Sequence, residues 1–193
     1  MRLNVLNNGY TIGTKILFKI IKIFSGYPVP DAAKIVFYRP GFYGNQMKKF
    51  THETMRGPSL WSVAERELIA AFISKLNECS FCIGAHTATA SIAYKDKTKV
   101  DAVLSDLETA PIEESLKAVL ICIKKLTLEH SVNSNDMKKV LDAGVTPGQI
   151  MDALNVCFAF NVTNRLADAF GFQVPDAKAF ETGAKYLLKR GYK

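Results

Sequence analysis

Apolar residues recur along this chain at spacings of three and four, and no run alternates apolar and polar residues over the length of a strand. A half-buried strand needs period two and an amphipathic helix needs 3.6, so the pattern restricts the fold to the all-α class. Ile12, Ile16, Leu17, Ile20, Ile21 and Phe24 form one apolar stripe with Lys15, Lys19 and Lys22 opposite or flanking it. Pro28 and Pro30 close that helix and open the next. After Gly57-Pro58, Ser62 and Glu65 read as a capping box, and Thr146, Pro147 and Gln149 open another helix in the same way. Long helices are expected near 62–77, 79–94, 111–130 and 146–171, within a bundle of about 8 to 9 helices in all.

With 193 residues, 48% of them hydrophobic, the chain is long enough for one well-buried core and short for two. Lys and Arg outnumber Asp and Glu by 25 to 18, a formal charge of +7. The basic residues read as spread along helical faces, which argues against a nucleic-acid groove and leaves an acidic partner or anionic lipid open. The amino-terminal apolar stretch carries lysines and no small-residue cleavage site, so it reads as neither a signal peptide nor a membrane span. Its stripe is expected to pack on the bundle or on another subunit in preference to lipid. Four cysteines are too few for the disulfide framework of a small secreted protein, and a reducing cytoplasm is the expected compartment. Cys122 and Cys157 lie in apolar runs and read as buried small hydrophobes.

The reactive groups concentrate in the segment NECSFCIGAH, where Cys79, Cys82 and His86 form C-x-x-C-x-x-x-H, with Glu67 twelve residues before Cys79. Two thiols three apart can close and reopen a disulfide, an imidazole can move a proton, and a carboxylate can orient that imidazole. On a helix, residues 79, 82 and 86 share a face, and 82 and 86 are i and i+4, the spacing at which side chains meet. The Cβ atoms of an i, i+3 pair lie about 5–6 Å apart where a disulfide wants roughly 3.8 Å, so Cys79 is expected at a deformable helix start. The helix dipole there favours Cys79 as the more acidic thiol; the imidazole and its carboxylate favour Cys82. The need for a proton on the leaving oxygen of a peroxide weighs towards Cys82 as attacking thiol, with Cys79 resolving.

Zinc would need a fourth ligand, and His52, His130, Cys122 and Cys157 form no second knuckle; Ile83 after Cys82 removes the haem-attachment spacing. His52 and His130 read as surface residues. Asn164, Arg165 and Asp168 are pocket candidates, with a buried salt bridge or subunit contact as the competing reading.

The pattern E-x(11)-C-x-x-C-x-x-x-H at Glu67, Cys79, Cys82 and His86, together with RELIA, LNECSFC, GVTPGQIMDAL and FNVTNRLADAFGF, resembles the alkylhydroperoxidase AhpD-like proteins of the carboxymuconolactone decarboxylase superfamily. The resemblance covers about residues 60–172. It implies a core over 59–172, an amino-terminal helical extension over 1–58 and a carboxy-terminal helix over 173–193, all in one globular unit. It further implies a cofactor-free, metal-free homo-oligomer, a trimer or hexamer, in which Glu67 works through His86 to deprotonate Cys82. A hydroperoxide would be the substrate, and a lipoyl protein, thioredoxin-like protein or peroxiredoxin the redox partner. The alternative within the resemblance is a protein disulfide reductase, or a redox sensor or scaffold without turnover. AhpD carries a second relay histidine immediately before its second cysteine, where this chain has Phe81; decarboxylases of the superfamily lack the cysteine pair.

Overall fold

The computed structural model describes residues 1–192, and among them regular structure is helical only. Eleven α-helices are present, more than the 8 to 9 expected: α1 (Asn4–Asn8), α2 (Ile12–Ser25), α3 (Asp31–Tyr38), α4 (Asn45–Arg56), α5 (Val63–Leu76), α6 (Ser80–Tyr94), α7 (Lys97–Ser105), α8 (Glu114–Glu129), α9 (Ser134–Asp142), α10 (Pro147–Phe170) and α11 (Ala177–Arg190). The excess has local causes. The five-residue α1 is too short to announce itself by periodicity, and tertiary bonds pin the chain just before it: Arg2 donates its backbone N–H to Phe170 O (2.7 Å) and its Nη1 to the Ala169 carbonyl (2.9 Å). Pro40–Gly44 is a π-helical turn joining α3 to α4. A Cβ at Gly44 would lie 1.9 Å from the Val36 carbonyl oxygen, so only glycine permits that approach.

Where the signals are local, the expected boundaries recur. Ser62 and Glu65 close a reciprocal capping box on α5, and Thr146 with Gln149 does the same on α10 behind Pro147. The main core gathers Leu68, Ile69, Ile73, Leu116, Leu120, Ile123, Val156 and Phe160 from α5, α8 and α10, and holds Cys122 and Cys157 as buried apolar residues. Arg66, itself buried, donates Nη1 to the carbonyls of Thr54 (3.1 Å) and Gly57 (2.9 Å), clamping the α4–α5 connection.

The α5–α6 connection sets the site. Glu78 N–H bonds Lys75 O and Cys79 N–H bonds Ser74 O, both at 3.0 Å, which is the Schellman pairing at a helix end. Glu78 takes the left-handed conformation there (φ 56°) and Cys79 becomes the N-cap of α6. One turn therefore ends the carboxylate helix and starts the cysteine helix. A left-handed residue with a Cβ costs about 1–2 kcal/mol, partly offset in Glu78→Gly by about 0.5–1 kcal/mol of added chain entropy. Glu78→Gly should consequently unfold at the same denaturant midpoint as the parent or a higher one.

Beyond α10, the chain returns over α6. Phe180 of α11 sits on Gly84, where a Cβ would come within 2.4 Å of its ring, and Phe81 meets Phe172 and Phe180 at ring-centroid distances of 5.4 and 6.1 Å. Phe81, the departure from the AhpD pattern, is thus an aromatic core residue under α11.

Candidate active site

Glu67 projects from the middle of α5 and is completely enclosed. Its Oε2 lies 2.7 Å from His86 Nδ1 on α6. Its Oε1 accepts from Arg56 Nη2 (2.6 Å) at the end of α4 and from the Tyr192 hydroxyl (2.9 Å) beyond α11. Burial alone would raise the carboxyl pKa, but the hydrogen bond and charge of His86, with the Arg56 guanidinium, hold it below its ordinary value. Glu67 is therefore an ionised carboxylate in a dry site. Because Nδ1 is committed to Glu67, Nε2 is the ring nitrogen left to exchange a proton elsewhere.

Arg56 and Tyr192 have no counterpart in the sequence reading. They lie 11 and 125 residues from Glu67 and come together only in the tertiary fold. The Tyr192 ring lies under the Arg56 guanidinium (5.0 Å) and nearly parallel to the His86 ring (6.5 Å). Burial and the Glu67 charge raise the phenol pKa well above its ordinary value, so Tyr192 is a neutral donor at any physiological pH. Its backbone N–H reaches His52 Nδ1 at 3.2 Å, which makes His52 a half-buried anchor of the carboxy-terminal turn rather than a surface residue. Removing the hydroxyl withdraws a hydrogen bond to a charged group, a loss of about 2 kcal/mol. In Tyr192→Phe the midpoint of denaturant unfolding should fall accordingly. The acid limb of stability should also move to higher pH, since the ionised Glu67 has lost a donor.

The cysteines occupy a second, smaller apolar cluster with Leu6, Ile35, Phe81, Ala167 and Phe172, and both are free thiols, 0% and 1% exposed. Their electrostatics run opposite to the weighting that favoured Cys82. The Cys82 thiol hydrogen-bonds to the Cys79 sulfur and lowers the Cys79 pKa against the effect of burial. No side chain closes a full capping bond at Cys79, but the backbone N–H of Cys82 also faces its sulfur, as expected at a helix N-terminus. The Cys82 pKa is raised by Cys79 and by burial, while Asn164 pulls it the other way. The first proton lost from the pair leaves Cys79, and Cys82 holds its own.

Of the α10 candidates, Asn164 is fully buried, beside Cys82, with Nδ2 donating to Ser74 Oγ (3.1 Å) and Oδ1 accepting from Asn77 (3.0 Å). It ties the end of α5 to the dithiol. The Asp168 carboxylate faces Cys79 and opposes its ionisation. Arg165 lies apart, exposed, in a groove with His130, Cys157 and Phe158. Among the described residues no group of three or more His, Cys, Asp or Glu side chains is arranged to hold a metal ion.

The dithiol at the head of α6 thus shares its helix with His86, whose ring is held by the buried Glu67 of α5. The model of the carboxymuconolactone decarboxylase family matches residues 43–121, which takes in α4 through the first half of α8. A peroxidase-related protein of Silicibacter sp. superposes with a TM-score of 0.78 at 25% identity, covering 93% of each chain. A peroxidase-related protein with an AhpD core from Ralstonia eutropha gives 0.74 at 22%, over 91% of this chain and 92% of that one. The debrominase Bmp8, in a Cys→Ala variant complexed with 2,3,4-tribromopyrrole, gives 0.71 at 12%, over 90% and 91%, a likeness of fold. No curated protein matches the chain. Over residues 43–121 the chain is similar to the carboxymuconolactone decarboxylase family, and its whole fold is similar to that of AhpD-like peroxidase-related proteins.

Proposed function

We propose that the chain is a thiol-dependent oxidoreductase that reduces hydroperoxides through a Cys79–Cys82 dithiol/disulfide cycle, with Glu67 and His86 as its proton relay. The observation that carries this reading is a pair of buried free thiols three residues apart with Cys79 at the N-cap of α6, where its ionisation is favoured over that of Cys82. The Cys79 thiolate attacks the peroxide oxygen, the O–O bond breaks, and the departing alkoxide takes up the proton that Cys79 gave up on ionising, leaving a sulfenic acid and an alcohol. Cys82 then passes its proton to His86 Nε2, with Glu67 supporting the ring through Nδ1, and its sulfur displaces the sulfenic hydroxyl, which takes that proton back from His86 and leaves as water. An external dithiol reopens the disulfide by exchange and leaves oxidised.

Both sulfurs are enclosed in the apolar cluster they share with Leu6, Phe81 and Phe172, so peroxide entry requires this cluster to open. The test is steady-state hydroperoxide consumption by reduced protein with a dithiol donor. The parent should turn over, and Cys79→Ser and Cys82→Ser should each lose the reaction. Turnover surviving in Cys79→Ser would refute the cycle. A protein disulfide reductase is the second reading, favoured by the same acidified thiol; it predicts rapid disulfide exchange without peroxide consumption.

A further inference from the structure

Helix α2 does not bury its apolar stripe on the bundle, and none of its residues is fully buried. At about 100° per residue, its side chains divide into three arcs. Thr14, Phe18, Ile21 and Ser25 face the bundle, all half-buried, with Phe18 packed edge-on against Tyr10 (5.1 Å) and Phe37 (5.4 Å). Lys15, Lys19 and Lys22 form the next arc and are exposed. The remaining arc holds Ile12, Ile16, Leu17, Ile20, Ile23 and Phe24, spans roughly 140° and points away from the bundle. Ile12 and Ile23 are 79% exposed and Phe24 is 87% exposed. Isolated apolar residues on a surface are ordinary; six on one outward helical face are not.

The charge of the chain is concentrated in the same region. Residues 1–52 hold eight Lys or Arg and a single acidic residue, Asp31, while the rest of the chain holds 17 of each sign. The net +7 therefore belongs to the amino-terminal quarter, and helical spreading of the lysines concealed this. An antiparallel twofold contact between two copies through the apolar arc of α2 would bring Lys15, Lys19 and Lys22 alongside their own symmetry mates. An anionic lipid surface suits both features: the apolar arc enters the acyl boundary and the lysines reach the headgroups from its border. No helix among the described residues is long and apolar enough to cross a membrane, so the helix would lie in the interface plane.

We propose that α2 docks the protein on anionic phospholipid surfaces through its outward apolar arc and the flanking lysines. Three lysines near such a surface are worth on the order of 100-fold in affinity over a neutral one at moderate salt. The intact protein should co-sediment with phosphatidylcholine vesicles containing phosphatidylserine and bind far less to phosphatidylcholine alone, and added salt should weaken the binding. Ile16→Glu/Ile23→Glu should abolish it; Lys15→Gln/Lys19→Gln/Lys22→Gln, which leaves the apolar arc intact, should erase the preference for anionic lipid. Both variants should retain the parental circular dichroism, since every altered side chain is exposed. Absence of binding to the anionic vesicles would overturn the proposal, as would binding unaffected by the double Glu variant. A lipid-free oligomer that Ile16→Glu/Ile23→Glu dissociates would also overturn it, assigning the arc to a second copy of the chain.

Discussion

Glu67→Gln is expected to cost about 3 kcal/mol of folding stability and to stop peroxide turnover. The neutral amide leaves the Arg56 guanidinium buried without its counter-charge, and removing one partner of a buried pair is strongly destabilising. In a chain of this length the loss lowers the thermal midpoint by on the order of 10 °C. The pH dependence carries a separate signature. The folded-state pKa of Glu67 is depressed, so its stabilisation is complete above the unfolded value of 4.5 and is lost as pH falls through the lower folded value. The parent should therefore weaken progressively below pH 4.5, and Glu67→Gln should show a shallower acid limb. Denaturant unfolding of both proteins across that range, with turnover measured at neutral pH, checks each part. An unchanged acid limb in Glu67→Gln would show that Glu67 is not the ionised centre of the site.

The second large effect separates the two sulfurs. At neutral pH iodoacetamide should modify Cys79 before Cys82, because only Cys79 has its ionisation favoured by its partner and its helix. Cys79→Ala should slow total alkylation at the pair by at least about tenfold, the effect of one pKa unit on thiolate fraction. Cys82→Ala should leave Cys79 reactive with its apparent pKa shifted upward, since the S–H donor is gone. Peptide mass spectrometry over a pH series reads both. Preferential modification of Cys82 would restore the sequence-based weighting, in which the imidazole outranks the helix start.

That weighting shows where sequence legibility ended. Glu67, Cys79, Cys82 and His86 stood out as candidates because their spacing falls within two consecutive helices, and the fold pairs Glu67 with His86 and Cys79 with Cys82. The caps Ser62/Glu65 and Thr146/Gln149 were legible because each involves residues only three apart. Arg56, Tyr192 and Asn164 were not, since each reaches the site from an element whose position depends on the packing of the whole bundle. Nor was the direction of the sulfur asymmetry, which comes first from the contact of Cys82 with the Cys79 sulfur and then from the turn at left-handed Glu78 that makes Cys79 the N-cap of α6. For α2 the periodicity identified an apolar stripe, and packing on the bundle, one of the two covers expected for it, takes up only Phe18 and Ile21. With apolar residues covering more than half the circumference, the pattern does not say which arc meets the core.

The carboxy-terminal turn also changes how the site is understood. The relay reads from sequence as a carboxylate behind an imidazole. In the fold it is a four-residue cluster in which Arg56 and Tyr192 share Glu67 Oε1 while His86 takes Oε2. In the proposed cycle this ionised, fully paired carboxylate acts as a steady electrostatic support rather than a proton acceptor, and the proton moves at His86 Nε2.

The most direct measurement mixes fully reduced protein with one equivalent of hydroperoxide, without any donor, and follows peroxide loss and Cys79–Cys82 disulfide together by quench and mass spectrometry. The proposed cycle predicts that one intramolecular disulfide forms for each peroxide consumed, with Cys122 and Cys157 still reduced. Peroxide that persists beside four free thiols, or consumption that leaves Cys79 and Cys82 unlinked, would contradict it.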